Sequence, residues 1–219
     1  MKKEEQIIKL RKLKNLYNLK KIEISIHVTN FKNVWKKSNK RIFTELCFCI
    51  LTPQNKAKIC DNIIKELEKT GILFRGGEKE ISSCLRGIRF SKNKARYIIE
   101  AREFFFDKNK KIKIKDKIDI RNIFTTREWL VKNIKGIGYK EASHFLRNIG
   151  LGGNLAILDR HILKNLKELG IIKKLPKTLT KKKYLEIENK FRKFAKKIKI
   201  PISHLDLLFW NKETGEILK

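Results

Sequence analysis

The chain has 219 residues, enough for one large domain or two small lobes, and 41% of them are hydrophobic, so a core can form despite 35% charged residues. Lys and Arg number 54 against 23 Asp and Glu, a formal charge of +31. That surplus points to a polyanionic partner, nucleic acid first; a thermophilic bias would raise Glu alongside Lys, and here it does not.

Residues 4–21 carry Ile7, Leu10, Leu13 or Leu16, and Tyr17 near helical spacing, with acids first and lysines last. This predicts an amphipathic helix lying over the main body. Periodicity weakens over 22–40. In RIFTELCFCILT (41–52), Phe43, Leu46, Cys47, Ile50 and Leu51 fall at i, i+3, i+4, i+7 and i+8, the pattern of a buried helix, which Thr52-Pro53 ends. A second helix is expected over 55–69, with Ile59, Ile63, Ile64 and Leu67 on one face and breaks at Gly71 and Gly76-Gly77. A short helix should fill 78–87. The next, 91–106, has Ser91 as its expected N-cap and Ala95, Ile98, Ile99 and Arg102 on one face. KNKKIKIKDK (108–117) alternates charge and Ile. It fits a short strand, but no partner strand is visible, and we read a basic linker.

Thr126 is the expected cap of a helix through Leu130 and Ile134, and Ala142, Phe145, Leu146 and Ile149 mark the apolar face of the helix after it. Ile162, Leu163, Leu166 and Leu169 predict another, closed by Gly170. Pro176 and Thr180 precede a long amphipathic helix, 181–198, and Pro201 starts a last one through about Trp210. Helix signals dominate, so the expected fold class is all-α, in two lobes: 32–125, and 126–219 joined by the N-terminal helix 1–31. Of the four cysteines, Cys47, Cys49 and Cys60 sit in apolar, helix-like surroundings and read as small buried hydrophobes. With Cys84 they form no C-x-x-C pair, and none lies in the C-terminal half, which argues against a metal site. There is no apolar signal core, and no apolar run approaches the roughly twenty residues needed to span a bilayer, so a soluble, intracellular protein is expected.

The chemistry gathers around KGIG (135–138). Gly136 and Gly138 can adopt positive φ and lack side chains, so the backbone N–H groups around Ile137 can approach an anion closely. The helix behind them adds its N-terminal dipole. This is a helix–hairpin–helix, which grips DNA backbone without reading sequence; a plain αα-hairpin has the same glycines, and the charge decides for DNA. Lys140 stands where the dipole disfavours a cation and so favours the neutral, nucleophilic amine, with a phosphate contact as the plainer alternative. Asp159, nineteen residues on, precedes a helix and suits an N-cap, a catalytic acid, or both.

GIGYKEAS, followed nineteen residues after its lysine by the Asp of LDRHI, resembles the helix–hairpin–helix DNA glycosylase superfamily in its bifunctional, lysine-containing branch. ELCFCILTPQNKA resembles the apolar helix and turn that precede that superfamily's strand-intercalating residues. The tail LDLLFWNKETGEILK resembles the short 8-oxoguanine DNA glycosylases of archaea and some bacteria. The resemblance spans about residues 40 to 219. It implies an active-site cleft between the lobes and a monomer acting on double-stranded DNA that contains 8-oxoguanine or abasic sites. It implies no metal or other cofactor, no membrane, and a nucleoid-associated place in a prokaryotic cytoplasm.

In such an enzyme Lys140 attacks C1′ of the damaged nucleotide, expels the base and holds the sugar as a Schiff base; β-elimination of the 3′ phosphate then cuts the strand. Asp159 stabilises the developing oxocarbenium charge and assists the lysine's proton transfers. The base must leave the stack to be reached. By the same resemblance Gln54 or Asn55 fills the vacated space and faces the estranged base. Trp210 stacks on the flipped base, Lys219 closes its pocket, and Asp206 bonds a purine edge. His161 suits a structural histidine as well as a site group. Endonuclease III-type relatives carry four C-terminal cysteines for an iron–sulfur cluster, which this chain lacks. A cluster-free enzyme for oxidised pyrimidines and a non-catalytic DNA-binding module remain the alternatives.

Overall fold

The computed structural model describes residues 2–217, and among them it holds eleven α-helices, one 3₁₀ turn and a single isolated bridge between Phe106 and Ile112. The chain divides into two compact units, Phe31–Gly152 and Met1–Asn30 with Gly153–Lys219.

The Phe31–Gly152 unit is built around α2 (Asn39–Leu51), in which every residue from Ile42 to Leu51 is buried. A helix covered on all sides belongs at the centre of its unit. Packed on it are α3 (Ala57–Lys69), α6 (Ser91–Phe104), α8 (Tyr139–Asn148) and the 3₁₀ turn Ile114–Lys117. Glu45, buried within α2, accepts from the Arg41 guanidinium and from the Asn148 amide at 3.1 Å. An unpaired carboxylate there would be strongly destabilising, so this bond helps tie α8 to α2. The helix–hairpin–helix therefore packs with the helices that precede it. The division falls at Gly152, not between 125 and 126 as the sequence suggested. Burial pushes the Cys47 and Cys49 thiols well up, as suits inert core residues.

Several boundaries differ from those expected, each for a local reason. α1 (Lys2–Val34) runs on through the stretch of weak periodicity. Its buried stripe is Leu13, Tyr17, Ile24 and Phe31, while Ile7, Leu19 and Ile22 are exposed and blur the pattern. In α3 the buried positions are Cys60, Ile64 and Leu67, and Ile59 faces out. A one-turn helix, α4 (Ile72–Arg75), precedes α5 (Glu78–Cys84), which stops short of Gly87. Ser91 lies inside α6; the cap position is Phe90, in the left-handed region at φ 58°. Thr126 lies inside α7 (Ile123–Asn133), where its hydroxyl donates to Asp119 O at 2.7 Å, and Asn122 is the cap, accepting from Thr125 N–H at 3.2 Å. Residues 108–117 form a linker that buries Ile112 and Ile114 and leaves most of its lysines exposed.

In the other unit α11 (Ile202–Thr214) packs on α9 (Arg160–Glu168) and α10 (Lys181–Ile198), with Phe191 stacked on Phe209 at 5.8 Å. α10 has the expected bounds, and Thr180 caps it by accepting from Lys183 N–H at 3.3 Å. α11 continues past Trp210 to Thr214, where Gly215 at φ 78° ends it.

Candidate active site

The hairpin between α7 and α8 is held from inside. Arg127, almost wholly buried, donates to Ser143 Oγ at 3.2 Å and lies over the Tyr139 ring at 5.4 Å. The Tyr139 hydroxyl donates to Glu128, so each helix fixes the other. Of the two glycines only Gly136 uses positive φ, at 80°; Gly138 is extended. Ile137 is buried and its N–H reaches Ile134 O at 3.3 Å, while Gly138 N–H donates to Glu141 Oε2 at 3.2 Å. A Cβ on Gly136 would lie 2.7 Å from Tyr97 Cδ2. Gly136→Ala therefore meets both a left-handed backbone, about 1–2 kcal/mol, and an aromatic ring. The expected outcome is a melting temperature several degrees lower together with weaker binding to undamaged duplex, read by thermal unfolding and fluorescence anisotropy.

Lys140 is the second residue of α8, in the first turn, where N–H groups have no carbonyl four residues back within the helix. Its side chain is 26% exposed, and Nζ lies 3.0 Å from Glu141 Oε1. One carboxylate thus braces the hairpin with one oxygen and holds the amine with the other. Glu141 was missed in the sequence, although a Glu at the third position of a helix is half of the capping-box signature.

Asp159 caps α9, its Oδ1 accepting from Ile162 N–H at 2.8 Å. The apolar segment leading to it, 155–158, is buried outside any helix, so its backbone groups need other partners. Tyr184 Oη donates to Ala156 O at 2.5 Å and accepts from Leu158 N–H at 3.3 Å, and Glu188 accepts from Ala156 N–H at 2.8 Å. α10 thereby fixes the approach to Asp159. Two residues on, the His161 ring meets Trp210 edge-on at 5.1 Å. Trp210 is partly exposed, and Asp206 is buried one turn earlier on α11. Lys219 lies outside the described residues.

Gln54 and Asn55 come just after α2, in the same unit as Lys140 and the hairpin. The structure separates them. Asn55 Nδ2 donates to Leu51 O at 2.8 Å and Pro53 O at 3.0 Å, and its Oδ1 accepts from Arg89 N–H at 2.9 Å. Asn55 thus braces the loop, while among the described residues Gln54 Oε1 accepts only from the Arg89 guanidinium, at 3.5 Å. Gln54 is exposed, with φ 60°. Phe90, 60% exposed and also left-handed, is a candidate the sequence did not disclose, because nothing in its neighbours demands positive φ. A cavity of about 180 Å³ is bounded by Pro53, Gln54, Phe90, Lys94, Tyr97 and Gly136, and so joins the Gln54 loop to the hairpin.

Comparison with known proteins identifies the family. The family model for 8-oxoguanine DNA glycosylase matches residues 24–200. An 8-oxoguanine DNA glycosylase/AP lyase from Fusobacterium nucleatum is 46% identical over 221 residues, all of both chains. One from Methanocaldococcus jannaschii is 44% identical, covering 97% of this chain and 99% of its own length. The crystal structure of the M. jannaschii enzyme in complex with a 15mer DNA containing 8-oxoguanine superposes with a TM-score of 0.87, at 42% identity over 97% of this chain and all of that one. The Thermotoga maritima 8-oxoguanine DNA glycosylase superposes at 0.86, at 33% identity over 98% of this chain and all of that one. A family match over most of the length and full-length relatives well above 30% identity have one reading: the chain belongs to the 8-oxoguanine DNA glycosylase family.

Proposed function

We propose that Lys140 and Asp159 carry the two reactions of this chain, which by its family is a bifunctional 8-oxoguanine DNA glycosylase and AP lyase. The observation that carries this reading is the place of Lys140: it is the second residue of the helix that the hairpin opens, and its amine is held by the carboxylate that also accepts from Gly138 N–H. The neutral amine attacks C1′, the glycosidic bond breaks, and the base leaves with the bonding electrons and takes up a proton. The sugar ring then opens as C1′ and Nζ form the Schiff base. Loss of a C2′ proton expels the 3′ phosphate and nicks the strand. Asp159, fixed as a helix cap, stabilises positive charge developing at C1′ and exchanges protons with the amine.

Exposure and charge support the remaining roles. The hairpin and the first turn of α8 hold a phosphate, and the charge of +31 draws the duplex in without sequence preference. Gln54, exposed on a braced loop, enters the space left by the flipped nucleotide, with Phe90 beside it. Trp210 offers a ring for the flipped base, with Asp206 on the same helix for its edge. The same net charge repels a second copy, which supports a monomer, working on the DNA of a prokaryotic cytoplasm.

Borohydride trapping on a panel of duplexes tests the reading. A covalent complex is expected with 8-oxoguanine and abasic duplexes. Trapping on oxidised-pyrimidine duplex alone would point to the pyrimidine reading, and tight, salt-sensitive binding with neither trapping nor nicking would point to a bare binding module.

A further inference from the structure

The loop that presents Gln54 is held by more bonds than its own satisfaction requires. Lys94, 5% exposed on α6, donates from Nζ to Leu51 O at 2.7 Å and to Pro53 O at 2.8 Å. Asn55 already donates to both of these carbonyls. Between them Gln54 adopts φ 60°, a conformation that a non-glycine residue keeps only where its surroundings over-determine it. Burying an ammonium is unfavourable, and burial shifts the Lys94 equilibrium toward its neutral form. An apolar side chain of the same length would fill the place on α6 without that penalty. A buried cation that duplicates existing hydrogen bonds, at the base of an exposed and strained residue, fits a role in setting the loop's shape.

We propose that Lys94 is a positioning residue for Gln54: its ammonium locks the 51–55 loop so that Gln54 meets the duplex already in its inserted conformation. This rests on the reading of Gln54 given above. Preorganisation of this kind removes an ordering penalty from the step that opens the duplex, and should matter little where the lesion is already unpaired.

The test uses the full chain as wild type, Gln54→Ala, Lys94→Met, Lys94→Arg and the double variant Gln54→Ala/Lys94→Met. Single-turnover base release is measured with 8-oxoguanine in duplex and in a single strand, and the duplex-to-single-strand rate ratio is compared, so that the folded fraction cancels. Gln54→Ala and Lys94→Met should each lower the ratio about tenfold, the size expected from releasing one strained conformation. The double variant should fall no further than Gln54→Ala, because both changes act through one side chain. Lys94→Arg, which keeps the donors, should retain most of the ratio. An unchanged ratio in Gln54→Ala would remove the reading of Gln54. A lowered ratio there with an unchanged one in Lys94→Met, or losses that multiply in the double variant, would overturn the role of Lys94. Should Lys94→Met not fold, Lys94→Gln takes its place and is judged by the same ratios.

Discussion

Lys140→Gln is expected to abolish borohydride trapping and to slow nicking of 8-oxoguanine duplex by about 10⁴-fold or more, the scale on which loss of a covalent nucleophile acts. An amide nitrogen cannot form a Schiff base, so no residual trapping should come from this position. The fold should be little affected. Lys140 is partly exposed and its ion pair with the more buried Glu141 is a single contact, whose loss should cost about 1–2 kcal/mol. Glu141 keeps its bond to Gly138 N–H without the lysine, so the hairpin stays braced. Duplex binding should weaken only modestly, since one positive charge among many is lost, and the salt dependence of binding should keep nearly the same slope. The measurements are trapping on denaturing gels, single-turnover nicking, and anisotropy at two salt concentrations. Trapping that persists in the variant would assign the nucleophile to another amine. Trapping lost in parallel with binding and melting temperature would make Lys140 a structural residue.

The sequence made some of this legible and not the rest, and the difference lies in whether the cause is local. The bounds of α10 were readable because a cap, Thr180, and an amphipathic stripe lie in the same stretch of chain. The buried α2 was readable from its dense apolar spacing, and the hairpin from glycines between two apolar faces. Ser91 and Thr126 misled because a hydroxyl before a helix suits a cap, yet Thr126 is claimed by Asp119 O, a partner set by the path of the chain. Asn55 and Gln54 were interchangeable in sequence. Lys94 and Arg89, some thirty to forty residues away, give the two side chains different surroundings by their bonds to the loop. The lobe boundary was misplaced for the same reason: the bond from Asn148 to the buried Glu45 spans 103 residues, and no local pattern announces it. The Tyr184 and Glu188 bonds that fix the segment before Asp159 are likewise invisible until α10 is folded against it.

Asp159→Asn separates the two roles that one carboxylate fills. As a cap, Asp159 accepts from Ile162 N–H through Oδ1, and asparagine offers an oxygen in the same place. Asp and Asn are nearly equal at this position of a helix, so stability should change by less than about 0.5 kcal/mol. What asparagine cannot supply is negative charge or a site for a proton. If Asp159 stabilises the cationic sugar, single-turnover release of 8-oxoguanine should fall by about 10²–10³-fold, the range for removing one preorganised charge-stabilising group. Binding to duplex should not weaken, because removing a carboxylate near phosphates lessens repulsion. Asp159→Ala provides the contrast: it loses cap and charge together and should lower the melting temperature as well as the rate. A rate loss in Asp159→Asn no larger than its loss in binding or stability would leave the residue as a cap alone, and the charge that assists Lys140 would then have to come from elsewhere, with Glu141, 3.0 Å from the amine, the next to test.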